Sequence, residues 1–368
     1  MTELDRTSLR RHPERARPDA VRAILDEALV VHVGVSTPEG PLVLPMAFGR
    51  RDDTLYLHGA VANGLLRQPG PVCVTATLLD GLVLARSAFA HSMNYRSAVL
   101  FGELRLVEDA DEKRRAFDVI VDHTLPGRSL EARPATDAEL RATRVLALDL
   151  RQTSAKVRDG GPSPDVSSPA TWTGVLPLRT AVGRPAPAEA HPPTDAVRAA
   201  VLRRLPRLER RAEHGGFTVD PDPARLDLPK VLAWLRDESY WAQALTEARL
   251  LDSLVGSYVV GAYADDGAQV AVARVVSDGI TLAWLGDVFV DAAWRGRGVG
   301  RAIVAFLLEH PRFGAVRKWL LGTADAQAFY RPFGFEPAPA GRYLARPGVA
   351  PLFDVLAGPV AAATRGND

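Results

Sequence analysis

The chain has 368 residues, more than a single hydrophobic core usually serves, so we expect two domains. Its apolar fraction of 47%, charged fraction of 24% and formal net charge of +1 are those of an ordinary globular protein, and no run of Lys or Arg forms a tail that binds polyanions. We find no uncharged apolar run long enough to span a membrane, and no apolar signal-peptide segment at the N-terminus. Because Cys73 is the single cysteine, an intramolecular disulfide is excluded. We therefore expect a cytoplasmic protein that binds neither nucleic acid nor membranes.

The first half of the chain is rich in short β-like segments. Residues 19–29 have the apolar spacing of an amphipathic helix, and residues 112–121 have it again. Apolar runs bounded by turn residues predict strands at Leu29–Val35, Pro41–Phe48, Thr54–His58, Val72–Leu78, Leu82–Phe89, Ser97–Val107 and Val145–Leu150. Many short strands with few helices predict a small β-barrel.

The composition changes after these strands. Residues 160–193 are rich in Pro, Gly, Ser and Ala without a clear period, which indicates an extended tail that runs into a linker. A basic helix follows, with apolar positions at Val197, Val201 and Leu205. We therefore predict a first domain over residues 1–190 and a linker helix over residues 191–214.

The second half alternates between helices and strands. Helices are predicted near residues 228–236, 241–250, 298–309 and 324–333. Strands are predicted around Phe217 and at Ser257–Ala262, Gln269–Val276, Ile280–Val290 and Trp319–Gly322. This alternation is typical of an α/β or α+β domain, which we place at residues 215–345, with a C-terminal tail over residues 346–368.

A glycine-rich loop is the strongest functional signal of the second half. The strand that ends at Val290 enters a turn with Gly296, Gly298 and Gly300, and an apolar helix leaves it. Glycines let backbone N–H groups approach a ligand closely, and a helix N-terminus adds partial positive charge. The order strand, loop, helix therefore predicts a pyrophosphate site. A dinucleotide-binding fold is disfavoured, because no acidic residue ends a second strand about 20 residues further on.

Two motifs of this half resemble those of the GNAT acetyltransferase family. Arg295, Gly298 and Gly300 match the family's Arg/Gln-x-x-Gly-x-Gly/Ala loop, and Ala328–Phe335 matches its aromatic-Tyr segment before a Gly-Phe corner. The resemblance implies an α/β fold with a mixed sheet, opened by a bulge near Val288–Val290. It also implies that this strand and the loop bind the pantetheine and pyrophosphate of acetyl-CoA. The residues so implied are Val288, Phe289, Val290, Arg295, Arg297, Gly298, Val299, Gly300 and Arg301.

The same resemblance implies N-acetyl transfer to an amine. By family analogy Tyr330 protonates the leaving thiolate, and we assign Asp287, which lies just before the bulge, as the base that accepts the amine proton, through water. The structural alternatives are that Tyr330 packs over the thioester and that Asp287 caps a strand end. The family often has an Asn where Thr323 and Asp325 stand here, which leaves the pantetheine-side contacts open.

Other charged residues of this half have two interpretations each. Arg274 and Asp278 favour a structural ion pair over a substrate contact. A group of acidic and aromatic residues either recognises a cationic amine or forms a solvated helix face with packed rings: Asp237, Glu238, Tyr240, Trp241 and Glu247. The identity of the amine is not specified, because a fold does not determine its substrate.

The first half resembles the flavin-binding split barrels of the pyridoxamine-phosphate-oxidase-related family over residues 15–190. Asn94–Ser97 and Trp172–Pro177 are its most recognisable parts. The resemblance implies FMN in a groove between the two barrels of a homodimer, held by donors to its phosphate and polar groups at its ring. The candidate contacts are His58, Gly59, Arg86, Ser92, Asn94, Tyr95 and Arg96, with Lys156 and Arg158 as later contributors.

The phosphate contact departs from the family. Related barrels commonly have a Lys or Arg soon after His-Gly-Ala, whereas here Arg67 or another residue has to substitute. FMN, haem, a deazaflavin and no cofactor all remain open for the barrel. His91 is either a haem ligand or proton carrier, or a hydrogen-bonding scaffold residue. The histidines lack metal-ligand spacing, so we predict no structural metal.

Together the resemblances predict a multidomain fusion of an FMN-binding β split barrel with an acetyl-CoA-dependent GNAT N-acetyltransferase. The first hypothesis is a bifunctional enzyme that acetylates a small amine and carries an FMN-dependent redox domain. In the second, only the GNAT half is catalytic, and the barrel is a dimerisation or flavin-sensing module. In the third, the barrel does redox chemistry and the GNAT half only binds acyl-CoA.

Overall fold

The computed structural model describes residues 12–60, 71–164, 171–181 and 193–339, together with the single positions 183, 185, 188 and 343. The chain forms two compact units that divide after Thr180. This division lies inside the segment rich in Pro and Gly, and it comes earlier than the boundary predicted after residue 190.

The described part of the first unit contains ten strands and three α-helices. The strands are β1 (Val31–Thr37), β2 (Gly40–Met46), β3 (Phe48–Arg51), β4 (Thr54–Ala60), β5 (Pro71–Leu84), β6 (Ser92–Glu103), β7 (Arg105–Leu106), β8 (Thr143–Asp149), β9 (Gln152–Arg158) and β10 (Gly174–Pro177). The helices are α1 (Val21–Glu27), α2 (Ala110–Thr124) and α3 (Asp137–Ala142).

Two antiparallel sheets enclose the core of this unit. One sheet has the order β2-β1-β5-β6-β9 with β10 paired to β5, and the other has the order β3-β4-β8-β7. Val33 and Val74 of the first sheet and Leu57 and Leu148 of the second are buried in one cluster, to which α1 adds Ile24. A core that two sheets share in this way is that of a small barrel, as the strand pattern predicts.

Several barrel segments differ from the prediction. β5 is one long strand with an irregularity between Leu79 and Gly81, where two strands were predicted. Both β9 and β10 lie in segments without a predicted strand. β10 packs closely on β5, since a Cβ at Gly81 would lie 2.9 Å from Cγ1 of Val175. Phe89, predicted to end a strand, lies in a 3-10 turn and is 96% exposed.

The described part of the second unit contains six strands and five α-helices. The strands are β11 (Ala212–His214), β12 (Phe217–Asp220), β13 (Tyr258–Ala264), β14 (Gln269–Ser277), β15 (Ala283–Val290) and β16 (Trp319–Leu320). The helices are α4 (Asp195–Arg203), α5 (Leu228–Asp237), α6 (Glu247–Val255), α7 (Val299–Leu308) and α8 (Gln327–Tyr330).

These strands form one mixed sheet in chain order, with helices on both faces. All pairs are antiparallel except β15 and β16, which are parallel. Ile303 and Val304 of α7 pack on one face of the sheet. Leu235 of α5 and Leu251 of α6 pack on the other. The sheet is therefore the middle of three layers, which is the expected α/β architecture.

The helix predicted as a linker belongs to the second unit. α4 ends at Arg203, and its Val201 and Leu202 are buried in the same cluster as α5 and α6. β11 then adds a strand to the sheet edge. Residues 196–213 are rich in basic side chains, but the apolar residues among them pack inside the domain. This segment is therefore not a free linker.

Within the described residues, the structure contains no helix that is both long and apolar enough to cross a membrane.

Candidate functional site

A β-bulge interrupts the pairing of β14 with β15. Val272 is opposite Phe289 and Arg274 is opposite Gly286, so two residues of β15 oppose a single residue of β14. Asp287, one of the two, has a left-handed backbone with φ of 52°. Aspartate adopts this conformation more readily than most residues, because its short side chain tolerates it. The bulge bends β15 and directs Asp287 away from the regular pleat.

Beyond the bulge, one edge of β15 has no strand partner among the described residues. β16 pairs with β15 only at Ala283 and Trp284. The sheet therefore opens after Trp284, and the outer N–H and C=O groups of the strand before Val290 face this opening. Unpaired strand edges accept an extended ligand through backbone hydrogen bonds.

The glycine loop connects this open edge to α7. Gly296 and Gly298 have φ values of 76° and 85°, which glycine adopts without strain, and α7 begins at Val299. The first N–H groups of a helix have no partner within it, and they point out of its N-terminus. Gly300 serves packing, since a Cβ there would lie 3.3 Å from Val290 and 3.4 Å from the Phe329 ring.

Exposed guanidinium groups surround the same loop. Arg295 donates from Nε to the Val290 carbonyl (3.1 Å), and the Arg297 guanidinium lies 4.9 Å from the centre of the Trp294 ring. Arg301 is exposed on the first turn of α7. The predicted loop residues are therefore together at one end of the open strand, with N–H donors and positive charge for an anion.

A cavity of about 500 Å³ lies beside the bulge. Its walls come from Arg274 and Val276 of β14, Trp284–Val288 of β15, Tyr240 and Trp241 after α5, and the segment from Gly322 to Tyr330. A cavity of this volume suits a small molecule. The predicted catalytic residues Asp287 and Tyr330 both line it.

Tyr330, the last residue of α8, is buried at the cavity wall. Its ring is held by contacts to Phe329 and Phe335, with ring centres 4.8 and 5.9 Å apart. Burial raises the pKa of Tyr330 to about 12, and Tyr240 and Asp325 add to this effect. The hydroxyl therefore stays protonated at neutral pH.

Asp287 forms a largely shielded ion pair with Arg274. Nε of Arg274 donates to Oδ2 of Asp287 (2.7 Å), and Nη1 donates to the Ser257 hydroxyl (3.0 Å). The two side chains are only 12% and 11% exposed. The predicted pair of Arg274 with Asp278 is thus wrong. Asp278 accepts hydrogen bonds from the Thr281 hydroxyl and from the N–H groups of Ile280 and Thr281 in its own turn, which hold its pKa well below the usual range.

In the barrel, the predicted flavin contacts lie on different strands. His58 and Gly59 are near the end of β4, whereas Ser92 and Asn94 are at the start of β6. Nδ1 of His58 is buried and has no hydrogen-bond partner among the described residues. Asn94 is buried, and its Oδ1 accepts from Nη1 of Arg158. A buried nitrogen without a partner can accept a hydrogen bond from a ligand or a water molecule.

Comparison with known proteins assigns both halves of the chain. The profile of pyridoxamine 5'-phosphate oxidases matches residues 17–157, and that of the acetyltransferase (GNAT) domain matches residues 256–337. The chain is 35% identical to the flavocytochrome Anf3 of Azotobacter vinelandii, covering 52% of this chain and 95% of that one with a TM-score of 0.50. The first half of the chain therefore belongs to the pyridoxamine 5'-phosphate oxidase family, and the second half belongs to the GNAT acetyltransferase family.

Two further relatives resemble part of the chain. A Gibberella zeae protein named as an acetyltransferase is 29% identical over 130 residues, which cover 30% of this chain and 73% of that protein. A GNAT-family structure from Xanthomonas campestris pv. campestris is 33% identical, covers 39% of this chain and 95% of that chain, and has a TM-score of 0.34. The predicted fusion of a split barrel with a GNAT domain is confirmed.

Within the split barrel, Arg96 is a structural residue. Its guanidinium donates to both oxygens of Asp80 (2.9 and 2.8 Å) and to Glu27. These carboxylates raise the pKa of Arg96 above its usual value. Because α1, β5 and β6 are joined through this side chain, Arg96 is not available for a ligand phosphate. Arg67, the substitute donor considered above, lies outside the described residues.

The remaining barrel candidates are more accessible. Arg86 and Ser92 are exposed, and Tyr95 is half-buried on β6. His91 is exposed, with Nδ1 2.9 Å from the Ser87 carbonyl. This contact fits the scaffold interpretation of His91.

The GNAT cavity contains residues that sequence reasoning missed and omits some that it proposed. Trp284 and Val276 line the cavity. Asp237 instead pairs with Arg236 on the surface, and Glu247 pairs with Arg198. Only Tyr240 and Trp241 of the proposed acceptor group reach the cavity. The sequence did contain a signal for Trp284, because a large aromatic residue stands there on the strand just before the predicted bulge.

Proposed function

We propose that the C-terminal domain transfers the acetyl group of acetyl-CoA to a primary amine. The observation that carries this proposal is the open edge of β15, which starts at the bulge and ends at the glycine loop. An extended pantetheine arm pairs with such an edge, and the pyrophosphate lies at the N-terminus of α7 among Arg295, Arg297 and Arg301. The thioester then lies in the cavity beside Asp287 and Tyr330.

The chemistry follows from these positions. The neutral amine attacks the acetyl carbonyl, so a C–N bond forms and the C–S bond breaks. Tyr330 donates its proton to the departing thiolate of CoA. Asp287 accepts the proton of the amine, through water, and Arg274 orients its carboxylate. A placed acid or base typically contributes about 10²–10⁴-fold to the rate.

We expect Gly298→Ala to weaken acetyl-CoA binding about tenfold. The left-handed backbone of Gly298 strains any other residue, so the loop N–H groups turn away from the pyrophosphate. Isothermal titration of the full-length protein with acetyl-CoA measures this change.

Gly267→Ala is the matched control, because Gly267 also has a left-handed backbone (φ of 86°) and open space at its Cβ position. Both variants lose about 1–2 kcal/mol of stability. Equal acetyl-CoA affinities in the two variants would contradict the proposed loop contact.

We further propose that the split barrel binds a flavin, FMN or FAD. The orphaned Nδ1 of His58, the buried Asn94 and the exposed Arg86 and Ser92 are suited to the polar groups of a flavin nucleotide. A bound flavin would supply electron or hydride transfer. Burial lowers the pKa of His58, which keeps its imidazole neutral and able to accept a hydrogen bond.

A second candidate is a barrel that also holds haem. The similarity to a flavocytochrome, at 35% identity, favours it.

In a third arrangement the barrel only dimerises the chain. We propose a cytoplasmic homodimer through the barrel, supported by exposed apolar side chains that include Val43, Met93 and Trp172. Light scattering gives the mass of the purified protein.

The protein purified without added cofactor is expected to show a flavin absorbance spectrum, and acid release identifies FMN or FAD. A Soret band in addition supports haem. A colourless protein that takes up neither FMN nor FAD on titration contradicts the flavin proposal and leaves a structural barrel.

Arg86→Ala is expected to weaken flavin affinity about tenfold, the usual effect of losing one charge-assisted hydrogen bond. Arg51→Ala, at an arginine of the same barrel that is 60% exposed, is the control that should bind flavin normally.

A further inference from the structure

The GNAT cavity has aromatic walls that are held in fixed positions. The rings of Tyr240 and Trp241 meet edge to face with centres 4.9 Å apart. The Tyr240 hydroxyl accepts the Ala324 N–H at 2.6 Å, which joins the loop after α5 to the segment before α8. On the opposite strands, Trp284 is paired in register with Val276. Trp284 also lies against the bulge, since a Cβ at Gly286 would be 3.2 Å from its Nε1.

The charges of the cavity wall leave a single negative group without a cationic partner. Arg274 and Asp287 neutralise each other. The third charged residue of the wall is Asp325, which is exposed, and no cation bridges it in the described part of the chain. The Asp325 carboxylate lies 3.5 Å from the Thr323 hydroxyl. The wall thus has one carboxylate available for one ammonium group.

We propose that the acetyl acceptor is an arylalkylamine, a monoamine attached to an aromatic ring through a short alkyl chain. This inference rests on the proposed acetyl transfer. The ring packs among Tyr240, Trp241 and Trp284, and Asp325 attracts the ammonium group before it loses its proton. Polyamines and amino sugars are poor acceptors, because they need several carboxylates or hydrogen-bonding partners that this wall does not offer. Amino acids are poor acceptors because Asp325 repels their carboxylate.

The test compares acetylation of five acceptors by the full-length protein: 2-phenylethylamine, n-propylamine, spermidine, L-phenylalanine and trialanine. Because the cavity buries the phenyl ring of 2-phenylethylamine, we expect kcat/KM for this amine to exceed that for n-propylamine about 10–100-fold. Spermidine and trialanine are expected to fall below 2-phenylethylamine by a similar factor. Release of CoA thiol and mass spectrometry of the product measure the reaction.

Asp325→Asn tests the charge separately from the rings. It is expected to raise KM for 2-phenylethylamine about threefold to tenfold. The ratio of kcat/KM for 2-phenylethylamine to that for L-phenylalanine should fall, and the ratio to that for n-propylamine should stay unchanged. Asp237→Asn is the control, since Asp237 is exposed, pairs with Arg236 and lies outside the cavity.

The outcomes distinguish a failure of the arylalkylamine proposal from a failure of the proposed acetyl transfer. Preference for spermidine, L-phenylalanine or trialanine, or equal rates with 2-phenylethylamine and n-propylamine, overturns the arylalkylamine proposal and leaves acetyl transfer standing. Acetyl-CoA binding without acetylation of any of the five amines overturns both.

Discussion

Tyr330→Phe is expected to lower kcat for acetyl transfer about 10²–10³-fold while the affinity for acetyl-CoA stays the same. The substitution removes only the hydroxyl, and the ring contacts with Phe329 and Phe335 that hold the side chain remain. The CoA thiolate then has to leave without a placed proton donor. Steady-state kinetics at saturating acetyl-CoA measures kcat, and calorimetric titration measures affinity.

Tyr263→Phe is the matched control in the same domain. Tyr263 is 2% exposed, and its hydroxyl has no hydrogen-bond partner among the described residues. Removing this hydroxyl takes away a desolvated polar group, so we expect unchanged kcat and unchanged or slightly higher stability. If Tyr330→Phe retained wild-type kcat, Tyr330 would be a packing residue, the structural alternative that its motif left open.

The pH dependence of the wild-type enzyme follows from the same burial. A tyrosine with a pKa of about 12 remains an acid well above pH 10, where an ordinary tyrosine ionises. The alkaline fall of kcat should therefore come near pH 12 and not near pH 10. The raised pKa also means that the stability associated with protonated Tyr330 is complete below pH 10 and is lost between about pH 10 and 12.

The glycine loop and Tyr330 could be found in the sequence because their signals are local. Gly296 and Gly298 have left-handed backbones in the structure, the role that glycines before a helix indicate. The order of strands and helices in the GNAT half was also readable from apolar periodicity. Most strands of the barrel were found for the same reason. The exceptions are β5, which continues through its irregularity, and β9 and β10, which lie in segments without a predicted strand.

Contacts that depend on strand register could not be read in this way. Asp278 is four positions from Arg274 and looked like its partner, but the bulge brings Asp287 across from β15 instead. Arg96 looked like a phosphate donor because nothing local shows that Asp80 and Glu27 surround it. The aromatic cavity has the same origin, since it is assembled from residues that are more than 40 positions apart, such as Tyr240 and Trp284.

Arg274→Met is expected to lower the free energy of unfolding of the GNAT domain by about 3–5 kcal/mol. Met preserves much of the volume of the side chain, but Asp287 is left as a charge that is 11% exposed and has lost its guanidinium partner. Urea denaturation followed by tryptophan fluorescence measures the change. Arg236→Met is the control: its partner Asp237 is 53% exposed, so the loss should stay below about 1 kcal/mol.

The double variant Arg274→Met/Asp287→Leu separates the charge from the packing. With both charges removed, neither position 274 nor position 287 carries an unpaired ion, and we expect most of the lost stability to return. Acetyl transfer should not return with it, because Asp287 is proposed to accept the amine proton. A double variant that regained both stability and activity would show that Asp287 only completes the ion pair, and the proton would then pass from the amine directly to water. A double variant as unstable as the single one would show that Arg274 contributes through its contacts with Ser257 and the bulge, and not through charge.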